Sequence, residues 1–413
     1  MRTKYDDPAA YHEESYRGAE QVQDESVDRR SFLKVMGAVG MSSTLLPEAA
    51  FGLHPASASI VEQAAGPGPD AGEKPKYSIK FGVIGLDHYH IMGITAAVIR
   101  GGGELVSFYS NLPKAVADFQ KLYPNARPAK SEDEILDDPS LKLIAGAPIP
   151  RLRAPLGIRA MKRGKDFLSD KPAVTTLEQL AEVRKVSAET GKMFAIMYSE
   201  RLEVRAAVQA GYLIKAGAIG KVVQTVNIAP HKVNDVTRPD WFWDPVEYGG
   251  ILCDIGSHQA DQFVYYTGST TAEVTGSQIA NVNHPTHPKF QDFGDMMFHG
   301  NGGAGYVRVD WFTPNGLSVW GDGRLFILGT DGYIELRKYI DIAGKPGGNH
   351  LFMVDQKQVT FMDCSKVELP FGPQFVSDVV NRTHTGQNQE QALLAAELVL
   401  KAQRDAKVLT FTT

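Results

Sequence analysis

From Ser78 to Tyr198 the chain alternates short apolar runs with amphipathic ones, and that alternation limits its folds more than any other feature. The run Ser78-Ile79-Lys80-Phe81-Gly82-Val83-Ile84-Gly85 reads as a buried strand, followed by a turn and a helix over 90–100. Further strands are expected at 104–110, 141–147, 166–169 and 193–198. Helices are expected at 113–123, 155–163 and 176–190. Strict alternation at these lengths predicts a doubly wound parallel sheet with its ligand at the carboxyl ends of the strands.

Beyond residue 200 the pattern changes. A helix is expected over 204–216, and then strands such as Gly305-Tyr306-Val307-Arg308-Val309-Asp310-Trp311, in which apolar and polar residues alternate. Such alternation argues for a large, mostly antiparallel sheet with one wet face. A closing helix is expected over 389–405. The organisation read from the sequence is therefore an α/β domain of Rossmann type over 78–200, placed to bind a dinucleotide, and an α+β domain over 201–413.

Composition excludes several function classes. With 43 basic and 48 acidic residues in 413, the net charge of −5 leaves no basic excess for nucleic acid. Two cysteines, Cys253 and Cys364, are too few for a disulfide framework or a thiolate zinc site. Whether they pair stays open.

The first 58 residues are set apart from the fold. The run Arg29-Arg30-Ser31-Phe32-Leu33-Lys34 precedes an apolar stretch, Val35 to Leu46, which as a helix would be about 18 Å long. A bilayer core of about 30 Å is out of its reach. The run resembles a twin-arginine export signal, with Asp28 in place of the usual leading Ser or Thr and a cleavage site expected after Ala58. Export to the periplasm through the twin-arginine translocase is the expectation, and residues 59–77 read as a linker.

The first turn is where a dinucleotide pyrophosphate would dock on a helix N-terminus. The pattern G-x-G-x-x-G is expected there, but the chain has Gly85-Leu86-Asp87-His88-Tyr89-His90. Asp87 reads as the helix N-cap, and His88 and His90 are placed to donate in place of glycine amides. At the second strand's end stand Ser110 and Asn111, without the acid that selects NAD, so the reading is NAD or NADP with a lean to NADP. The full set assigned to the cofactor is Gly85, Asp87, His88, His90, Ser110, Asn111, Ala147, Pro148, Asp170 and Lys171.

Two motifs carry the chemistry. Gly164-Lys165-Asp166-Phe167-Leu168-Ser169-Asp170-Lys171-Pro172 ends a buried strand on a lysine, with Pro172 biasing Lys171 toward extended backbone. Gly249-Gly250-Ile251-Leu252-Cys253-Asp254-Ile255-Gly256-Ser257-His258 sets Asp254 and His258 four apart, so on a helix both face one way. Asp261 extends that stripe and is placed to orient the imidazole. No metal is expected. Lys171, Asp254 and His258 are the candidate catalytic residues.

Together with the leading strand–turn–helix unit, these motifs resemble the glucose–fructose oxidoreductase/inositol dehydrogenase (Gfo/Idh/MocA) family over about residues 78–410. Members usually carry Glu-Lys-Pro, so Asp170 departs mildly, and Asp87 and His90 depart further. The resemblance implies a nicotinamide-dependent oxidoreductase acting on a sugar or polyol hydroxyl, with a tightly held cofactor and a homo-oligomeric state. His258 would then be the general base, Asp254 the substrate holder and Lys171 the group polarising the reacting oxygen. A redox-neutral glycosidase using the same residues and a non-catalytic carbohydrate-binding protein remain as alternatives.

Substrate contacts are read from the aromatic and polar connection Pro230–Trp243, which supplies His231, Arg238 and Trp241. Tyr198 and Arg201, after the last strand of the first sheet, complete the set.

Overall fold

The computed structural model describes residues 75–411. The expected export signal at 1–58, and the linker up to residue 74, lie outside the described residues. Within them, no helix is long and apolar enough to cross a membrane.

The first sheet contains β1 (Ile79–Ile84), β2 (Gly103–Tyr109), β3 (Arg127–Pro128), β4 (Leu143–Gly146), β5 (Asp166–Asp170) and β6 (Phe194–Met197). All neighbours are parallel, in the order β3-β2-β1-β4-β5-β6. Strand order reverses between β1 and β4, and the crevice at such a reversal is where open α/β sheets bind ligands. Its helices are α1 (His90–Arg100), α2 (Pro113–Leu122), α3 (Glu132–Leu136), α4 (Pro150–Lys162) and α5 (Leu177–Thr190). Phe81, Val83, Phe167, Leu168, Phe194 and Ile196 are all fully buried in the sheet. Each such side chain contributes on the order of 1.5–3 kcal/mol when removed from water.

Two local expectations are corrected. Helix α4 begins at Pro150, five residues before the expected start, so Pro155 lies inside it. A proline there frees the carbonyl four residues back, that of Arg151, and Nε2 of Gln179 donates to it at 3.0 Å. The N-cap of α1 is Tyr89 rather than Asp87, and no side chain caps it. The backbone is already turning at His88, whose carbonyl accepts from the amide of Ile91, so Asp87 is left in the turn before the helix.

Helices α6 (Ser199–Leu202) and α7 (Arg205–Lys215) lead to the second sheet. After β7 (Val222–Pro230) come α8 (Pro245–Tyr248), α9 (Ile251–Asp254) and α10 (Gly256–Thr267). The other strands are β8 (Ala272–Ala280), β9 (Phe293–Gly300), β10 (Gly303–Asp310), β11 (Arg324–Gly329), β12 (Gly332–Arg337), β13 (His350–Asp355), β14 (Val359–Asp363) and β15 (Lys407–Val408). Their order is β14-β13-β12-β11-β7-β10-β9-β8-β15, antiparallel except for the β7–β10 and β8–β15 pairs. Helix α11 (Phe371–Asn381) returns to pack on α1, and α12 (Gln389–Asp405) lies against α10 and β8, so one apolar core joins the first sheet to β7–β10, while a second cluster packs α7 against β11–β13. Cys253 and Cys364 are both buried and free.

Candidate active site

Lys171 follows directly on β5, and its peptide bond to Pro172 is cis. Its ammonium donates to the Asp254 backbone carbonyl and to Oδ1, both at 3.1 Å. Asp254 ends the one-turn helix α9, and local sequence explains how it reaches that place. Gly249 and Gly250 hold φ of 89° and 84°, in the left-handed region. A side chain on Gly250 would collide with Gln403. The first amides of α9 are satisfied by side chains, Ile251 by Gln291 at 2.9 Å and Leu252 by Gln403 at 3.1 Å.

Ile255 keeps helical dihedrals between α9 and α10, so Asp254 and His258 stay on one side of a nearly continuous helix. Both line a cleft, along with Lys171, Glu200, His231, Lys232, Arg238 and Trp241. Trp311, Trp320 and Tyr339 add aromatic faces. Arg238 stacks its guanidinium 4.2 Å from the centre of the Phe242 ring and 4.9 Å from that of Trp311.

Burial and charge set the protonation states. Burial alone would raise the Asp254 carboxyl, but the Lys171 ammonium beside it holds it below its usual value. His258 is 3% exposed, and burial pushes it well below the ordinary imidazole value, with Lys171 adding to the effect. It is therefore a neutral imidazole, able to take a proton.

Three expected roles are corrected. Asp261 does not orient His258: its carboxylate accepts from Arg201 Nε at 2.6 Å and Nη2 at 2.9 Å. Arg201 is held in that buried pair, away from the cavity lining. Tyr198 is 1% exposed and its hydroxyl donates to the Ala392 carbonyl, so it too is turned from the cavity. Asp261 on α10 and Arg201 on α6 satisfy each other, and Tyr198 finds a carbonyl of α12, where leaving any of them unpaired would be costly.

The first turn shows how the departing residues are accommodated. Gly85 has φ 83°, and a Cβ there would meet Pro148 at 2.7 Å. The amide of His88 donates to the Ala147 carbonyl, binding the turn to the end of β4. Nδ1 of His90 lies 3.0 Å from Asp170 Oδ1, and Nδ1 of His88 lies 3.1 Å from Oδ2. The tight glycine turn, the switch between β1 and β4 and the uncapped start of α1 fit a dinucleotide at the level of the backbone. Ser110 turns its hydroxyl to the Leu112 amide, and Asn111 is exposed beside it. Among the described residues, one ligand atom each of His88, His90 and Asp170 lie within 4.8 Å of one another, close enough to hold a metal ion, where none was expected. The Arg153 guanidinium, 2.9 Å from Asp170 Oδ2, already balances that carboxylate and opposes a further cation.

Arg153 was not legible in the sequence. It is 1% exposed and donates to the carbonyls of Pro148, Lys171 and Pro172, fixing the backbone that presents Lys171. Glu200, Lys232, Trp311, Trp320 and Tyr339 were missed as well. For Trp320 there was a signal, a large aromatic just before the turn Gly321-Asp322-Gly323.

Residues 79–198 match the oxidoreductase family with the NAD-binding Rossmann fold, and residues 207–335 match the GFO/IDH/MocA C-terminal domain. The chain belongs to the GFO/IDH/MocA oxidoreductase family. A candidate oxidoreductase from Erwinia carotovora atroseptica SCRI1043 shares 45% identity at a TM-score of 0.78, over 81% of this chain and 100% of that one. A levoglucosan dehydrogenase in complex with NADH and levoglucosan shares the fold, with a TM-score of 0.66 at 14% identity over 79% of this chain and 98% of that one. Two curated relatives each share 24% identity over part of the chain. The D-xylose dehydrogenase of Paenarthrobacter nicotinovorans matches over 30% of this chain and 34% of its own length. The 1,5-anhydro-D-fructose reductase of Ensifer adhaerens matches over 47% and 58%. The chain thus spans between a third and three fifths of the length of these curated relatives.

Proposed function

We propose that this protein is an NAD(P)-dependent oxidoreductase acting on a secondary hydroxyl of a sugar or polyol. The observation that carries the reading is the Lys171–Asp254 contact in a cavity that His258 also lines. A nicotinamide dinucleotide held at the first turn would supply the two-electron acceptor. This chain's residues do the rest. The Lys171 ammonium, fixed by Asp254, polarises the substrate oxygen, and neutral His258 accepts the hydroxyl proton. Trp241, Trp311 and Trp320 offer flat apolar faces of the kind that sugar rings stack on.

The relatives' names, D-xylose dehydrogenase and 1,5-anhydro-D-fructose reductase, point to the same substrate class. Because no carboxylate stands with Ser110 and Asn111 at the ribose end, we read NADP as the favoured cofactor. The paired arginines at 29 and 30 support export by the twin-arginine route, with the cofactor retained. The test is to denature purified protein, identify any released nucleotide by mass, and assay NAD and NADP reduction with D-xylose, levoglucosan and related polyols. Bound or reducible nucleotide supports the reading. A folded protein that binds neither nucleotide overturns it.

A further inference from the structure

The cations of the cleft are of two kinds. Lys171 is paired with Asp254 at 3.1 Å, and Arg153 with Asp170 at 2.9 Å. Glu200, the other carboxylate of the lining, is buried and held by Lys338 at 2.7 Å. Lys232 and Arg238 line the same cleft, yet among the described residues neither makes an ion pair with a carboxylate. Their hydrogen bonds go to backbone carbonyls instead. Lys232 Nζ donates to Leu317 at 2.5 Å, and Arg238 donates through Nε to Val233 at 2.6 Å and through Nη2 to Lys232 at 3.3 Å. The last bond lays the guanidinium back on the residue that carries the ammonium.

Carbonyls orient these two groups but leave their charge uncompensated. Nη1 of Arg238 has no hydrogen-bond partner among the described residues, and only one N–H of the Lys232 ammonium has one. Two positive charges side by side in a concave wall repel each other and attract an anion. A guanidinium edge and an ammonium together suit a carboxylate or a phosphate. The aromatic faces belong to this wall as well. The Lys232 amide donates to the Trp320 carbonyl at 2.8 Å, and the Trp311 ring lies 4.9 Å from the Arg238 guanidinium. A ligand that satisfies the wall therefore has both a ring to stack and an oxyanion to offer.

We propose that the substrate is an acidic sugar, carrying a carboxylate or a phosphate, and that Lys232 and Arg238 bind that group. The inference takes from the proposed function that the cleft holds a sugar, and it adds the sugar's charge. Lys171 and His258 then meet the hydroxyl while the oxyanion fixes the ring's orientation from the second sheet's side.

The test is calorimetry on the purified full chain at low ionic strength. NADH or NADPH is present, so no sugar is oxidised during the titration. Sugars are compared in matched pairs: D-glucuronate with D-glucose, D-galacturonate with D-galactose, D-gluconate with D-sorbitol, and the terminal phosphate ester of D-glucose with D-glucose. At least one acid should bind about 10-fold or more tightly than its neutral partner, and added salt should weaken the acid selectively. The carboxylate and phosphate arms show which oxyanion is taken. Lys232→Met and Arg238→Met should each lower the preference about 10-fold, and Arg238→Lys should lower it less. Arg238 also holds two backbone carbonyls, so its variants can lose structure. Lys232→Met leaves those bonds in place, and the wild-type preference is read without any variant. A wild type that prefers no acid overturns the proposal, and so does a preference that the folded variants keep. Variants that weaken NADPH relative to NADH, with the sugar preference intact, overturn it by giving the pair to the cofactor. Binding is read without turnover: a protein that binds an acid but reduces no nicotinamide contradicts the proposed function, and one that oxidises only neutral sugars contradicts this inference.

Discussion

The Lys171 ammonium lies 3.1 Å from both the backbone carbonyl and Oδ1 of Asp254, joining the end of the first sheet to the helix that leads into His258. Lysine and aspartate are 83 positions apart, and each is held by its own local device, Arg153 behind one and the glycine pair before the other. The contact fixes where the Lys171 ammonium stands in the cleft that His258 also lines.

Asp254→Asn should therefore cost turnover more than it costs binding. The amide keeps the side chain's size but removes the charge that holds Lys171 in line. We expect turnover to fall by about 10²- to 10⁴-fold, with nucleotide affinity measured by calorimetry changed only a few-fold. A nucleotide affinity that collapses along with turnover would show that the contact serves cofactor binding instead.

Asp261→Ala should act on stability. It leaves the Arg201 guanidinium buried without a partner, which typically costs about 3–5 kcal/mol. Thermal melting should fall by many degrees, while the folded fraction keeps turnover within a few-fold. An unchanged melting temperature would contradict the pairing.

Acid should destabilise the fold through the histidines of the cavity. Burial lowers all four, His88 and His258 by direction, His90 to about 4 and His231 to about 3. An unfolded histidine titrates near 6.5, so below that pH the unfolded chain takes up protons that the folded chain refuses. The stability each contributes is fully present above about 6.5 and is lost as pH falls toward the folded values, by about 1.4 kcal/mol per unit for a ring that stays neutral. Denaturant melts at pH 7.5 and pH 5 should differ in that sense. Equal stabilities would refute the assigned protonation states.

Replacing Arg29 and Arg30 together by lysine should keep the protein inside the cell, folded and at full length. Fractionation of expressing cells checks this, and undiminished export would refute the twin-arginine reading.

Most of the frame was legible because it rests on local periodicity. The buried run at 79–84 and the helix at 90–100 are set by residues adjacent in sequence. Asp-Lys-Pro at a strand end and the four-residue spacing of Asp254 and His258 were legible for the same reason. The pairings were not. Arg201 meets Asp261 across 60 positions and Glu200 meets Lys338 across 138, and no local pattern encodes either. Pro155 misled because its cost inside α4 is offset by Gln179, a side chain from another helix. Similarly, the histidines of the first turn converge on Asp170, 80 positions from His90.

The central claim is that Lys171 and His258 act together on a sugar hydroxyl with nicotinamide as acceptor. The most direct measurement is the growth of reduced-nicotinamide absorbance when sugars are added to protein supplied with NAD or NADP, in the wild type, Lys171→Ala and His258→Ala. The account predicts sugar-dependent reduction by the wild type and a loss of about 10²- to 10⁴-fold in each variant, with fold and nucleotide binding kept. Variants that reduce the cofactor at the wild-type rate would contradict it.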